Sequence, residues 1–235
     1  MRTAKVLIVD DDPLFRRSMR KVLVSEGYEV TEASTGQKAL EMLRHVPQDL
    51  MLLDMVLPGM SGLDTCRAVR AFSDVPVIAV SARNLEREKI VALDVGADDF
   101  VTKPFSLPEL LARVRAALRR MPLAEGGPEV LHLGDLEVNF AIRRVVAGGR
   151  QIRLTSKEAD LLQCLAAHPN TCLLHGELLQ TIWGPESSNE LIHLRVLVAR
   201  LRKKIEPDPR HPRYIVLEHA LGYRLLLTPP ESREP

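Results

Sequence analysis

The stretch Val-Leu-Ile-Val-Asp-Asp-Asp-Pro (6–13) decides how the first half of this chain is read. Four consecutive apolar residues suit a strand buried on both faces, because a half-exposed strand would alternate apolar with polar positions. Three aspartates and a proline end the run, and helical spacing begins at once with Leu14, Met19 and Leu23. The same grammar returns along the chain. Short apolar runs at 50–53, 77–80 and 100–101, with a weaker one at 28–31, are separated by amphipathic stretches such as Ala39, Leu40 and Leu43. This alternation predicts a five-stranded parallel sheet covered by helices on both faces.

In such sheets functional groups gather where strands end and loops begin. Asp10 and Asp11 close the first run, Asp54 the third and Ser81 the fourth, and Lys103 lies just beyond the fifth. One Asp at a strand end is usually a helix cap or a solvated turn. Three carboxylates converging at one edge repel each other and call for a cation, and hard oxygen ligands suit Mg2+. With a metal beside it, the Asp54 carboxylate can attack phosphorus to give an acyl phosphate. Lys103, a flexible point charge, and the Ser81 hydroxyl then hold the phosphoryl oxygens.

The 235 residues exceed one ordinary domain of about 100–150 residues. An apolar fraction of 46% supplies packed cores, and 27% charged residues argue against disorder. No run approaches the roughly 18 apolar residues of a membrane span, and no export signal is visible, so a cytoplasmic protein is expected. Cys66, Cys164 and Cys172 form no CxxC pair and are odd in number, which points to reduced, packed thiols rather than a disulfide framework or zinc site. Lys+Arg and Asp+Glu balance at 32 against 31, yet their distribution is uneven: Asp10, Asp11 and Asp12 crowd one half, and Arg200-Leu-Arg-Lys-Lys204 the other.

Two prolines and two glycines at 121–128 follow Arg119 and Arg120 and mark a linker. Beyond them Leu131 with Leu133, Leu136 with Val138, and Ile152 with Leu154 alternate, and Gly148-Gly149 offers a hairpin turn, predicting a small antiparallel sheet. Thr155-Ser-Lys-Glu158 has capping-box spacing ahead of Leu161, Leu162 and Leu165. A second helix around 177–182 ends at Trp183-Gly-Pro185, a third runs from about 188 to 205, and residues 214–218 and 223–227 read as a terminal hairpin. The expected organisation is therefore 1–121, a linker at 122–129, a second domain at 130–228 and a tail at 229–235.

Four segments, Val-Leu-Ile-Val-Asp-Asp-Asp-Pro (6–13), Leu-Leu-Asp-Met-Val-Leu-Pro-Gly-Met-Ser-Gly (52–62), Val-Ile-Ala-Val-Ser-Ala (77–82) and Gly-Ala-Asp-Asp-Phe-Val-Thr-Lys-Pro-Phe (96–105), together resemble receiver domains in order, spacing and residue type. The resemblance implies a flavodoxin-like (βα)5 fold and phosphorylation of Asp54 by a histidine kinase. It also implies Mg2+ held by Asp11, Asp54 and the backbone carbonyl of Val56 with Asp10 nearby through water, and a cis bond at Lys103-Pro104. Ser81 stands where receivers more often have Thr, and Phe100 where Tyr is as frequent. Phosphorylation adds about one and a half to two negative charges. Ser81 can follow that charge inward and vacate space for Phe100, which makes these two the expected switch.

Lys89 with Glu109, Asp99 with Arg113 and Asp94 with Arg115 match the pairs through which OmpR/PhoB-type receivers form symmetric dimers. One partner departs from the pattern, since Arg87 stands where many of the family carry an acid facing the residue equivalent to Arg120.

The second half, from Leu154-Thr-Ser-Lys-Glu through Arg200-Leu-Arg-Lys-Lys to Leu221-Gly-Tyr-Arg224, resembles the OmpR/PhoB output domain, a winged helix-turn-helix whose third helix enters the major groove. Leu194, Leu197, Leu201 and Ile205 form one stripe of that helix and leave His193, Arg195, Val196 and Arg200 as expected base readers. Arg202, Lys203, Lys204 and Arg224 are expected on phosphates. His219-Ala220 stands where relatives place Arg-Gly, so the resemblance does not extend to an arginine in the minor groove. Trp183-Gly-Pro185, Arg195 and Asp208-Pro-Arg-His-Pro-Arg213 look like the KdpE type within the family.

The partners so implied are a sensor histidine kinase, promoter DNA, RNA polymerase and a second copy of the chain. Aspartate-nucleophile phosphohydrolases share the strand-end Asp, Mg2+, Ser/Thr and Lys. They usually carry an acid two residues after the nucleophile, and Val56 cannot serve, so a regulator rather than an enzyme is expected.

Overall fold

The computed structural model describes residues 3–82, 85–119, 128–142, 144–185, 191–219 and 221–227. Two units divide the chain, Met1–Arg119 and Arg120–Pro235. Most of the expected linker, the start of the third output helix before 191, Arg120, Ala220 and the tail lie outside the described residues.

In the first unit β1 (Lys5–Val9), β2 (Glu29–Ala33), β3 (Leu50–Asp54), β4 (Val77–Ser81) and β5 (Asp99–Thr102) form a parallel sheet in the order β2-β1-β3-β4-β5. Helices α1 (Pro13–Ser25), α2 (Gly36–His45), α3 (Gly62–Arg70), α4 (Glu86–Val95) and α5 (Leu107–Leu118) connect and follow the strands. β3 and β4 are buried at every position, as continuous apolar runs between two helical layers must be. Local chemistry sets the helix starts. Asp12, Thr35, Ser61 and Ser106 each accept a backbone N–H with the side chain at the N-cap, and Pro13 opens α1 where no N–H partner is needed.

Gly62 has no room for a side chain. A Cβ there would meet the Asp54 carbonyl oxygen at 2.2 Å and Met55 Cα at 2.5 Å, so the start of α3 lies directly against the end of β3. Arg70 pins the far end of the sheet by donating to Asp98 and to the carbonyls of Gly96 and Val75, while Asp98 accepts from Val77 N–H.

The second unit opens with a four-stranded antiparallel sheet, β6 (Val130–Leu133), β7 (Leu136–Asn139), β8 (Arg144–Ala147) and β9 (Arg150–Ile152), in chain order. Helices α6 (Ser156–Ala167), α7 (His175–Trp183) and α8 (Leu191–Ile205) pack round a core of Leu161, Leu165, Leu178, Ile182, Leu194, Leu197 and Leu201. The capping box expected at Thr155 and Glu158 is formed in both directions. The terminal hairpin is β11 (Ile215–Glu218) with β12 (Gly222–Leu225).

One strand escaped the sequence reading: β10 (Leu173–Leu174) pairs with β12 and makes the hairpin a three-stranded sheet. Two residues are too few to show alternation, and the pairing rests on Gly222, where a Cβ would lie 1.8 Å from the Leu173 carbonyl oxygen. Cys66 is buried, Cys164 and Cys172 are half-buried, and none of the three forms a disulfide. Among the described residues no helix is long and apolar enough to cross a membrane.

Candidate functional site

The first site is the rim of the parallel sheet. Asp10 follows β1, with its N–H on the Ala33 carbonyl and its own carbonyl accepting from Arg16 Nη1 at 2.6 Å. Its Oδ1 takes the N–H of Asp12 at 2.8 Å. Asp54 ends β3, and its Oδ1 takes the N–H of Val56 at 2.7 Å. Lys103 follows β5 and is tied by its N–H to the Ser81 carbonyl at 2.7 Å, ahead of a cis Lys103-Pro104 bond, as the sequence resemblance implied. The Lys103 ammonium bridges the two acids, 2.8 Å from Asp10 Oδ2 and 2.6 Å from Asp54 Oδ2.

Burial acts most strongly on the Asp10 carboxyl and raises its pKa. Lys103 and the Asp12 N–H oppose the rise, and the neighbouring Asp54 carboxyl adds to it. Burial would lower the Lys103 pKa, but the hydrogen bonds it donates to Asp10 and Asp54 outweigh it and hold the ammonium above the ordinary lysine value. The two directions agree physically: one cation serves two carboxylates, so the cation is well compensated and Asp10 is not.

The sequence expected three carboxylates to converge. The structure brings Asp10 and Asp54 onto Lys103 and leaves Asp11 exposed beside them. Among the described residues no three His, Cys, Asp or Glu side chains are close enough to hold a metal ion. The oxygen-only donor set and the burial of the Asp10 carboxylate at the rim do fit a hard divalent cation.

Ser81, buried at the end of β4, and Phe100, buried in β5, share a cavity of about 430 Å3 with Met55, Val56, Leu63 and Leu85. Of the expected dimer pairs, Asp99 and Arg113 meet within one chain at 2.8 Å, and Arg113 also reaches Glu109 at 3.3 Å. Asp94 and Arg115 are exposed, and Lys89 is half-buried.

The second site is α8, where the sequence expectation needs correction. His193 and Arg200 are not on its free face. His193 is buried and stacks on Trp183 at 5.9 Å between ring centroids, and Arg200 is buried in an ion pair with Glu158 at 3.1 Å. The buried arc is wider than the leucine stripe because α8 packs against both α6 and α7, so residues flanking the stripe are covered as well.

Other basic groups on and near α8 also have internal partners. Arg202 donates twice to the Ile215 carbonyl, at 3.0 and 2.6 Å, Lys204 reaches Glu158 at 2.6 Å, and Arg224 pairs with Glu218. Arg195 and Lys203 stand exposed at helical spacing with Ala199 between them, and Val196 is half-exposed beside them. The sequence carried one usable sign of the inward pair: Glu158 lies on an otherwise apolar helix face, and a buried carboxylate needs a cation.

Comparison with known proteins agrees with this architecture. Residues 6–115 match the response regulator receiver domain, and residues 149–225 match the C-terminal domain of transcriptional regulatory proteins. A receiver followed by such an output domain defines a response regulator that controls transcription. The chain belongs to the OmpR/PhoB family of two-component response regulators. It is 42% identical over 220 residues to the transcriptional regulatory protein KdpE of Mycobacterium tuberculosis, covering 93% of this chain and 97% of that one. It is 40% identical over 221 residues to the DNA-binding response regulator MtrA of Mycolicibacterium smegmatis, covering 94% and 96%. The crystal structure of DrrB, an OmpR/PhoB homologue from Thermotoga maritima, is 29% identical with a TM-score of 0.51, covering 96% of this chain and all of that one.

Proposed function

We propose that Asp54 is the phosphoacceptor of a receiver spanning residues 1–121, that a cognate sensor histidine kinase supplies the phosphoryl group, and that the modified chain dimerises and binds promoter DNA through the output domain at 130–228. The observation that carries the reading is the Lys103 ammonium shared between Asp10 and Asp54 at the sheet rim.

Asp10, Asp11, Asp54 and the Val56 carbonyl would hold Mg2+, which supplies positive charge for the phosphoryl oxygens when bound. An oxygen of Asp54 attacks phosphorus and forms the acyl phosphate, and the donor's imidazole leaves with the electron pair of the broken P–N bond. The Val56 N–H orients the attacking carboxylate, and Lys103 and Ser81 move onto the phosphoryl oxygens. The cavity beside Ser81 and Phe100 gives those two side chains room to exchange position when charge arrives.

Lys89, Asp94, Asp99, Glu109, Arg113 and Arg115 then form a symmetric interface with a second copy, for which the Asp99–Arg113 pair within the chain must be shared or exchanged. Two output domains engage adjacent half-sites, and affinity rises through bivalency, with RNA polymerase as the downstream partner. Arg195 and Val196 read bases, and Lys203 meets phosphate. Arg202, Lys204 and Arg224 keep their internal partners and offer their remaining N–H groups to the backbone.

The test is direct. The full chain with Mg2+ and phosphoramidate should gain one phosphoryl group by intact mass, Asp54→Ala should gain none, and selection of genomic fragments should recover specific sites more strongly after modification. Modification of Asp54→Ala at the wild-type level, or sustained turnover of the donor by an unmodified chain, overturns the reading.

A further inference from the structure

Lys103 has a third partner that the charge pattern does not announce. Its ammonium lies over the ring of Phe15, 4.1 Å from the centroid, while it is hydrogen-bonded to Asp10 and Asp54. Phe15 belongs to α1, is half-buried against the core of the first unit, and meets Phe105 edge-on at 6.2 Å and 85°. Phe105 lies two residues after Lys103, so the segment that carries the lysine also braces the ring beneath it.

We propose that Phe15 is a positioning residue for phosphoryl uptake, its ring face holding the Lys103 ammonium at the sheet rim while that ammonium transfers from Asp54 to the incoming phosphoryl oxygens. The inference rests on the reading of Asp54 as phosphoacceptor. In the unmodified chain the ammonium is held by a 2.6 Å bond to Asp54, and that bond is disturbed when an Asp54 oxygen engages phosphorus. A lysine side chain 25% exposed then has water as an alternative partner. An aromatic face attracts a cation lying over it within about 6 Å of the centroid, with no single lone-pair direction to satisfy. The ammonium can therefore shift from one oxygen to the next without leaving the ring, which a single directional acceptor would not permit. The competing role is packing alone, in which Phe15 fills space against Phe105 and an aliphatic side chain serves equally well.

The experiment uses the full chain, Phe15→Leu, which keeps apolar bulk and removes the π face, and Phe15→Tyr, which restores the face. With Mg2+ and saturating phosphoramidate, the limiting modification rate should fall about 3–10-fold in the leucine variant, as loss of a partly desolvated cation–π contact implies. The donor concentration at half-saturation should hold, and the tyrosine variant should recover. Independently of donor and metal, the Lys103 Hε resonances should be shifted upfield by the ring in wild type and in Phe15→Tyr, and lose that shift in Phe15→Leu. Circular dichroism checks folding, and Phe15→Met takes over both arms if the leucine variant does not fold. A modified wild type whose leucine variant keeps the full limiting rate, or unshifted Lys103 resonances in wild type, overturns the role of Phe15. A wild type that takes up no phosphoryl group overturns the phosphoacceptor reading itself.

Discussion

Arg200 Nη2 lies 3.1 Å from Glu158 Oε1 inside the output unit, and the glutamate is fully buried. Glu158 also caps α6 by accepting the Thr155 N–H at 2.8 Å and pairs with Lys204 at 2.6 Å. Removing one member of a buried pair costs about 3–5 kcal/mol, and the remaining lysine should bring Arg200→Ala to the lower end of that range. Trp183, the chain's single tryptophan, is buried in the same unit, so its fluorescence during urea unfolding reports the loss. DNA affinity lost by Arg200→Ala therefore does not identify a base contact. An unchanged urea midpoint would instead return Arg200 to the DNA face.

The exposed face of α8 makes a different prediction for Arg195 and Lys203. Arg195→Ala should weaken the best site by about 1–3 kcal/mol and relax base preference there, with unfolding unchanged. Lys203→Ala should weaken all sequences alike and reduce the slope of log affinity against log salt by about 1. Filter binding over a salt series separates the two effects, and identical behaviour of both variants would contradict the assignment.

Gly62 and Gly176 form a matched test of backbone approach. At Gly62 an added Cβ would press on the Asp54 carbonyl and Met55 Cα, and neither is a side chain that can swing away. Gly62→Ala should cost about 1–3 kcal/mol by overpacking and slow phosphoryl uptake by shifting the end of β3. In α7 a Cβ on Gly176 meets nothing within 4 Å, so Gly176→Ala should be neutral or stabilise by about 0.4–1 kcal/mol. Thermal unfolding of both variants measures the contrast.

Asp10 sets a pH dependence whose sign follows from its burial. Burial raises its carboxyl pKa above the ordinary value of 3.8 in the folded chain, so the fold disfavours the charged form. Stability should fall as pH rises through the interval between the unfolded and folded pKa values and keep that penalty at neutral pH. Asp10→Asn removes the penalty, so its melting temperature without divalent cation should exceed that of wild type at pH 7, and the gap should close below the unfolded pKa. Mg2+ should then stabilise wild type more than the variant. Equal melting temperatures at pH 7 without metal would show that Lys103 compensates Asp10 in full.

The receiver was legible because its signals are local. Apolar runs such as 50–53 mark strands buried on both faces, Asp12 and Ser106 mark helix starts, and strand-end placement put Asp10, Asp54, Ser81 and Lys103 at one rim. The output fold was legible for the same reason, through the capping box at Thr155 and the spacing of Leu161, Leu162 and Leu165. α8 was read less well: its leucine stripe gave the direction of burial but not the width. His193 and Arg200 lie just beside the stripe, and whether such residues meet solvent depends on how many neighbours the helix has.

The sequence by itself determined which segments become strands and helices, the two-residue β10 excepted, the order in which they alternate and the rim to which the acidic groups go, because periodicity and capping act over a few residues. Tertiary structure alone decided who meets whom. Lys103 lies 93 residues from Asp10, Arg200 lies 42 from Glu158 and Phe15 lies 88 from Lys103; strand-end placement brings the first two to one rim and a buried Glu158 calls for a cation, but no pattern along the chain names the partner each one meets. Such contacts arise when separately specified elements pack, and the need of each buried charge for an opposite charge selects among the partners that packing brings within reach.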